Sequence, residues 1–552
     1  MPASPAVEIV PLGGLGEFGM NLMVVRSGDD ALIVDCGLMF PSAEHLGVEL
    51  ILPDLSALDR LGTLHGVLVT HGHEDHLGAV PWLLTHHSLP VFATPYAASI
   101  LRPRLKGRLP GLVDPLVELN PSGGPCRIGP FAVETFPVSH SIPHCLMAAI
   151  ETPEGWIVHS GDFKLDPEPL DGVTTDLEAL RTFAERGVLA LLSDSTNAEV
   201  PGFTPPERRV GPELESRIRE APGRVFVTTF ASNVYRIRQV AEAAVRAGRK
   251  LAVVGRSFER HVELGLKYGL LPLPAGLRVP VDAVGALPAS EVVVLVTGSQ
   301  GEPNSALARL ALDRHRDLSL EPGDRLIHSA RRIPGNEKAI QRVFNHVVTR
   351  GGTLVDARSG LLHVSGHASR EEQALLLRTL RPKHFVPIHG EATQLAAHED
   401  LALSCGLPRD RVHRLRSGDR LRFDGGRATL GEPVPVGHVF IDGTTDTLAW
   451  DALRDRRRVA DDGLVVAVVS VGGDRRRRPD PEVLLRGFAH EDADGPLLDE
   501  ARERLLELTA DFSREEREDE GVLRGRVQQE LKRFFRRRTG KRPLIVPVVV
   551  EF

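Results

Sequence analysis

His71-Gly72-His73-Glu74-Asp75-His76 follows directly on the apolar run Val67 to Thr70. Four potential metal ligands, His71, His73, Asp75 and His76, therefore stand at the end of a predicted buried strand. A tight turn there aims His71 and His73 at one cation, while Asp75 and His76, opening the next helix, aim at a second. Gly72 lets the backbone pass close by. The competing reading is a solvated polar turn, but a chance HxHxDH placed directly after a buried strand is a rare accident.

Two divalent ions need more ligands than this motif holds, so it predicts a histidine and a bridging carboxylate downstream, each at the end of another strand. His140 follows the run Phe131 to Val138, and Asp162 follows Trp156 to Ser160 in His159-Ser160-Gly161-Asp162. Alone, either would be read as a turn residue or helix cap. Together they sit where the motif needs them.

The chain around this motif has 552 residues, with Lys+Arg 67 against Asp+Glu 74 and a net charge of −7. Hydrophobic residues make up 42% and charged residues 26%, which excludes collagen-like, disordered and disulfide-scaffold classes. The length suggests roughly three domains. Mild acidity argues against holding nucleic acid by bulk charge. Four cysteines, Cys36, Cys126, Cys145 and Cys405, form no CxxC, so neither a disulfide framework nor a thiolate zinc site is indicated. Met1 to Gly14 lacks the pattern of a leader, and the run Leu464 to Val471 is too short to span a bilayer. The expectation is a soluble cytoplasmic protein with no membrane partner.

Short strand-like runs dominate the first 200 residues, punctuated by helical stretches such as His76 to Thr85 and Leu177 to Arg186, so the architecture reads as mixed α/β layers. From about Pro205 apolar strands alternate with helices, as in a doubly wound α/β unit. The helix Asn233 to Ala247 reads as capped by Ser232. Further on come a helix from Glu371 to Arg381 and a buried strand from Phe385 to Ile388. Leu448 to Asp462, rich in Arg and Asp, reads as an exposed linker. Beyond it Leu464 to Val471, Leu484 to Phe488, helices about 497–508 and 523–535, and Leu544 to Glu551 make a small α+β module.

The HxHxDH signature with its later His and Asp resembles the metallo-β-lactamase superfamily. With its inserted strand–helix unit and second set of motifs, the chain is similar to the β-CASP nucleases, specifically the ribonuclease J family, over nearly its whole length. Asp194 in Ser193-Asp194-Ser195-Thr196 matches the first β-CASP motif. His367 in Ser365-Gly366-His367-Ala368-Ser369 matches the second, and His389 in Pro387-Ile388-His389-Gly390-Glu391 the third. The resemblance implies an α/β fold: a metallo-β-lactamase αββα sandwich (1–205 and 371–450), an inserted β-CASP α/β domain (206–370), a linker (451–462) and a small α+β C-terminal domain (463–552).

By resemblance, His71, His73 and His140 bind one ion, Asp75, His76 and His389 the other, and Asp162 bridges them. Asp35, matching the family's first motif, orients ligands from behind. A histidine at the third motif implies RNA rather than DNA. Two ions per subunit, zinc or manganese, suit a donor set that accommodates both; about 3.5–4 Å apart, they activate a water and neutralise the scissile phosphate. Asp194 orients a metal-binding histidine or shuttles a proton, and His367 gives a hydrogen bond or proton to the phosphate or leaving oxygen. The plainer reading of both is hydrogen bonding in a polar cleft.

Ser369 with Glu372 fits a capping box. Gly366 and the serines before that helix also make an anion pocket of N–H groups and hydroxyls. The resemblance implies that His363, Val364, Ser365, Gly366 and His367 hold an RNA monophosphate, with Ser232 and Asn233 as a second contact. A 5′-monophosphate pocket at a fixed distance from the metals counts nucleotides, giving 5′-to-3′ exonuclease action. A channel admitting RNA sideways adds endonuclease action, and the expected roles are RNA maturation and mRNA decay.

The partners implied are single-stranded RNA, a second subunit through the C-terminal module, with tetramers also admitted, and RNA-degradation proteins. Loop likeness adds a calcium site near Val48, Leu50 and Asp442. Basic runs at Arg454 to Arg458, Arg475 to Arg478 and Lys532 to Arg542 read first as solvated faces, with Phe534 and Phe535 packing inside the C-terminal module. Two other readings compete. A small-molecule hydrolase such as a thioester hydrolase or lactonase would lack the inserted domain. A catalytically dead RNA-binding subunit would have degenerate ligands, whereas all seven are present. The acidic net charge does not oppose RNA, because the bound metals add about four positive charges at the site.

Overall fold

A computed structural model describes residues 6–42, 44–443, 446–471, 481–487, 491–512, 516 and 519–551. The chain divides into two compact units, Met1–Phe40 with Leu50–Val439, and Pro41–Glu49 with Phe440–Phe552.

The first unit is built on two large sheets. The eight-stranded sheet runs Arg427–Leu430, Leu421–Asp424, Val7–Gly13, Leu22–Ser27, Asp30–Val34, Thr63–Leu68, Val91–Ala93, Leu116–Glu118. The six-stranded sheet runs His384–Ile388, Val188–Asp194, Gly155–His159, Cys145–Thr152, Phe131–Val138, Gly124–Ile128. One core joins them: Ile9, Val25, Val34 and Leu68 from the first sheet pack with Val133, Ile150, Ile157, Leu192 and Val386 from the second. Val188–Asp194 is buried along its whole length, as expected of a strand between two parallel neighbours with both faces covered. The helices Leu177–Ala184, Arg370–Leu380 and Ala392–Ser404 accompany the second sheet, completing the αββα sandwich.

The insertion carries its own five-stranded parallel sheet, in the order Lys250–Val254, Val292–Val296, Val225–Thr228, Arg325–His328, Thr353–Val355. Its core includes Phe226, Val294, Leu326 and Phe344. Each strand leads into a loop and, in most cases, a helix, so the strand C-terminal ends form a row of loops.

Two local expectations change. The stretch read as one helix from His76 to Thr85 is two, Glu74–Leu77 and Val80–His86, broken at Gly78. The helix after Val225–Thr228 is Val234–Arg246, and its cap is Asn233, whose Oδ1 accepts from Arg236 N–H at 3.0 Å. Ser232 lies outside it. Asn is as good a cap as Ser, and here the amide stands in register with the first turn.

In the second unit the sheet runs Glu482–Arg486, Leu464–Val471, Leu544–Glu551, with Leu464–Val471 parallel to the last. The helices Glu491–Ala510 and Glu520–Thr539 share its core, which includes Val465, Leu505, Val527, Leu531 and Phe535. Phe534 packs against that core. The stretch read as a linker, 451–462, is helical, Trp450–Asp462, stopped by Gly463 at φ +85°. Its alternating charges pair along one face, Arg454 with Asp451 at 2.8 Å and Arg458 with Asp455 at 3.8 Å, and Leu453 is buried. A polar stretch can therefore be helical when its charges sit three or four apart. Phe488 and the basic run Arg475 to Arg478 lie outside the described residues.

Candidate metal centre

Six segments of the first unit deliver side chains to one edge. Asp35 follows Asp30–Val34, and His71 follows Thr63–Leu68. His140 follows Phe131–Val138, Asp162 follows Gly155–His159, Asp194 ends Val188–Asp194, and His389 follows His384–Ile388. The parallel register, with Asp194 beside Ile388 and His159 beside Leu192, brings Asp162, Asp194 and His389 to the same height. Asp35 and His389 adopt the left-handed backbone region, φ +61° and +56°. Such conformations cost energy that the surrounding structure must supply, and they cluster at functional sites.

Donor and acceptor accounting shows what the cluster is built for. A neutral imidazole has one N–H and one lone pair. His76 Nδ1 lies 2.7 Å from Asp35 Oδ2, a pure acceptor, so Nδ1 carries the hydrogen and Nε2 the lone pair. Thr70 donates its hydroxyl to Asp35 at 2.8 Å, leaving its oxygen to accept from His71 Nδ1 at 3.0 Å. His140 Nδ1 donates to Gly366 O at 2.7 Å. Thr196 donates its hydroxyl to Asp194 Oδ1 at 2.7 Å and accepts from His389 Nδ1 at 2.8 Å. Four imidazoles are thus held with Nε2 lone pairs facing inward.

Those lone pairs converge in two groups. His71 Nε2 and His140 Nε2 each lie 3.1 Å from His73 Nδ1. His389 Nε2 lies 3.2 Å from Asp75 Oδ2, and His76 Nε2 lies 3.5 Å from the same oxygen. Asp162 Oδ2 sits between the groups, 3.6 Å from His71, 3.7 Å from His140, 3.3 Å from His76 and 3.7 Å from His389. His71, His73, His140 and Asp162 form one set of convergent ligands and Asp75, His76, Asp162 and His389 another. Lone pairs and carboxylates facing each other at these distances repel unless cations stand among them, so the donor set fits two divalent ions.

The electrostatics agree. Burial first, then neighbouring imidazoles, hold His71 and His140 well below the ordinary histidine range, and burial holds His73 at about 4. Burial opposes ionisation of Asp162 and Asp75, yet His389 and His76 outweigh it and keep both below the usual carboxylate range. Burial likewise opposes charge on His76 and His389, but the surrounding carboxylates, led by Asp162, raise both. A proton or a metal is what these two nitrogens demand, and a cation can replace the proton.

A third convergent set joins Asp162 and His389 to Asp194 and His367. Asp194 Oδ2 accepts from His367 Nδ1 at 2.8 Å, and Asp194 Oδ1 lies 3.3 Å from His389 Nδ1. Burial opposes ionisation of Asp194, but His367 beside it holds its carboxyl below the usual range.

The loop His363 to His367 lies against this set. Gly366 has no room for a side chain, since a Cβ would lie 2.8 Å from Ser141 Oγ and 2.9 Å from the His140 ring. Ser365 Oγ accepts from His367 N–H at 3.1 Å. Val364 is buried and His363 half-buried. Glu372 closes the capping box, its carboxylate accepting from Ser369 N–H at 2.8 Å. Asn233 is buried and Ser232 half-buried. Of the loop residues named for calcium, Val48 is buried, Leu50 opens the strand Leu50–Pro53, and the Asp442 carboxylate accepts from Arg456. Among the described residues no convergent ligand set includes Asp442.

Three contributors were missed in the sequence. Thr196 ties Asp194 to His389. Asn197 donates from Nδ2 to Ser365 Oγ at 2.9 Å and to His367 O at 3.0 Å. Asn21 Nδ2 donates to Asp75 O at 3.0 Å and lies 3.1 Å from His76 Nε2. The signal for the first two was their place two and three residues after Asp194; Asn21 had none.

Comparison with known proteins gives four family matches: Ribonuclease J, beta-CASP domain, over residues 222–347; Ribonuclease J C-terminal domain over 451–552; Metallo-beta-lactamase superfamily over 15–247; and Zn-dependent metallo-hydrolase RNA specificity domain over 357–405. Among curated relatives, the chain is 39% identical to a Ribonuclease J of Thermus thermophilus, covering 99% of this chain and 95% of that one. It is 35% identical to Ribonuclease J 1 of Streptococcus pyogenes, covering 99% and 97%. A solved structure of a protein of unknown function from Enterococcus faecalis, 17% identical, superposes with a TM-score of 0.53 over 76% of this chain and 100% of its own, a likeness of fold.

Proposed function

The chain belongs to the ribonuclease J family of β-CASP metallo-hydrolases, and from that premise we propose how it acts. It is a metal-dependent ribonuclease that hydrolyses phosphodiester bonds with two divalent ions per subunit. It releases mononucleotides 5′-to-3′ from monophosphorylated RNA and also cuts internally, in RNA maturation and mRNA decay. The observation that carries this reading is the inward convergence of the Nε2 lone pairs of His71, His140, His76 and His389 around Asp162.

In this reading His71, His73 and His140 hold one ion, Asp75, His76 and His389 the other, and Asp162 lies between. Zinc and manganese both suit imidazole and carboxylate donors. When bound there, two divalent ions would supply an acidified water and positive charge against the scissile phosphate. Asp194 fixes the tautomer of His367 and, together with Thr196, that of His389, leaving His367 Nε2 to hold or give a proton at the phosphate or leaving oxygen. The loop His363 to His367, with Ser232 and Asn233, receives the 5′-phosphate. Residues 206–370 form the inserted domain between the two parts of the hydrolase core, and 463–552 the module through which two subunits pair. The setting is the cytoplasm.

Product sizing on 5′-labelled, 5′-monophosphorylated RNA with zinc or manganese tests the reading. Mononucleotide release, abolished in His73→Ala, is expected; intact RNA with either metal would overturn it.

A further inference from the structure

Burial, and after it the nearby cations Arg236, Arg331 and Lys164, hold the His363 imidazole well below the ordinary histidine range. Two of those cations are already neutralised. Arg236 donates to both carboxylate oxygens of Glu207, at 2.7 and 3.0 Å. Lys164 Nζ lies 3.0 Å from Asp166 Oδ2. The next residue along the chain from Arg331, Arg332, is spent on Asp356 at 2.9 Å, which Arg358 also takes at 2.9 Å. Arg331 is exposed and enters no ion pair among the described residues.

Its position is nonetheless fixed. The Arg331 carbonyl accepts from Gln300 Nε2 at 2.9 Å, and Gln300 Oε1 accepts from Ile333 N–H at 2.9 Å, which anchors the loop after the strand Arg325–His328. Arg331 Nη1 donates to Asn197 Oδ1 at 3.1 Å. Asn197, only 3% exposed, spends its own N–H groups on Ser365 Oγ and His367 O. The guanidinium therefore stands one amide away from the loop His363 to His367, with its remaining donors unspent among the described residues. A second observation points to a ligand there: His363 Nδ1 is buried and has no hydrogen-bond partner among the described residues.

We propose that Arg331 binds the 5′-terminal phosphate of RNA from the inserted domain, with Asn197 as the positioning residue that holds it against Ser365 and His367. The inference rests on the reading of His363 to His367 as the phosphate pocket and adds to it the cation that loop lacks. A planar guanidinium presents paired N–H donors to phosphate oxygens and meets a charge that a 5′-hydroxyl does not carry. Arg331 thereby sets end-group specificity, and the hydrogen bonds through Asn197 fix the bound end relative to His367.

The test is the KM for mononucleotide release by the metal-loaded full chain, on RNAs of one sequence ending in 5′-monophosphate or 5′-hydroxyl. The unaltered protein is expected to prefer the phosphorylated end by about tenfold or more in KM, Arg331→Gln to reduce that ratio to about threefold or less, and Arg331→Lys, which keeps the charge but not the paired donors, to fall between the two. Asn197→Ala is expected to reduce the ratio as well, because the guanidinium loses its anchor. A ratio near one in the unaltered protein overturns the phosphate pocket itself. A normal ratio there that survives in Arg331→Gln, even with kcat lowered equally on both RNAs, makes Arg331 a strut between domains and overturns this assignment alone.

Discussion

Asp35 Oδ2 accepts the Nδ1 hydrogen of His76 at 2.7 Å while Asp35 Oδ1 accepts the N–H of Thr70 at 2.7 Å. One buried carboxylate thus sets the tautomer of a metal-facing histidine and fixes the strand end from which His71 departs. Asp35→Asn keeps the shape but can turn an N–H toward His76 Nδ1, favouring the tautomer whose Nε2 carries hydrogen. Metal affinity should fall about 10- to 100-fold, read by competition with a chromophoric chelator. Unchanged affinity would show that Asp35 does not set the tautomer.

Gly37 and Gly72 predict opposite severities. The backbone at Cys36 to Leu38 runs against the metal motif, with Cys36 N–H donating to His76 O at 2.7 Å and Leu38 N–H to Glu74 O at 3.0 Å. A Cβ on Gly37 would overlap the carbonyl of Asp75, a backbone atom that cannot move without taking the motif with it. A Cβ on Gly72 would meet only the side-chain tips Ile100 Cδ1 at 2.9 Å and Ile142 Cδ1 at 3.0 Å. Gly72→Ala should cost about 1–3 kcal/mol and retain metal. Gly37→Ala should lose metal or folded protein. Metal analysis with thermal melting separates the two.

What was legible in the sequence follows from where partners lie. Four candidate ligands sit in six consecutive residues, so their spacing, and the strand before them, were readable at once. His140 and Asp162 were readable as candidates because each follows an apolar strand, whereas Asp194 and His389 were pointed to by their likeness to the family's motifs. The contacts that orient them were not: Thr196 meets His389 only because the parallel pairing of Val188–Asp194 with His384–Ile388 brings their ends together, and Asn197 meets Ser365 only because the segment after Asp194 runs beside Ser369. The helix Trp450–Asp462 was missed because composition was weighed over charge spacing, and the Asn233 cap because Ser232 and Asn233 are both good caps and only the backbone chooses.

His398 gives a pH prediction away from the metal ligands. It is buried, with Nδ1 3.0 Å from Ser195 Oγ, and burial lowers it to about 3. The unfolded chain, with an ordinary histidine near 6.5, binds this proton first. Stability from this group is therefore full above about pH 6.5 and is lost as pH falls toward the folded value. In between, the slope is about 1.4 kcal/mol per pH unit. Urea unfolding from pH 7 to 4 should show His398→Asn with a slope shallower by about that amount. Equal slopes would mean that His398 is charged in the folded protein.

Thr196 links the second motif set to the metal-facing set through one hydroxyl, which donates to Asp194 Oδ1 and accepts from His389 Nδ1. Thr196→Val keeps the volume and the Thr196 backbone N–H, which donates to Asp194 Oδ1 at 2.9 Å, but removes the nearer of the two acceptors that face His389 Nδ1, leaving Asp194 Oδ1 at 3.3 Å. The fold should lose only about 1–3 kcal/mol. The ion assigned to Asp75, His76 and His389 should bind about 10- to 100-fold more weakly, while the ion assigned to His71, His73 and His140 keeps its affinity. A stoichiometric metal titration would then show one tight and one weakened site, and Thr196→Ser, which restores the hydroxyl, should recover both. Two undiminished sites in Thr196→Val would show that Asp194 alone orients His389 and that the hydroxyl only fills space.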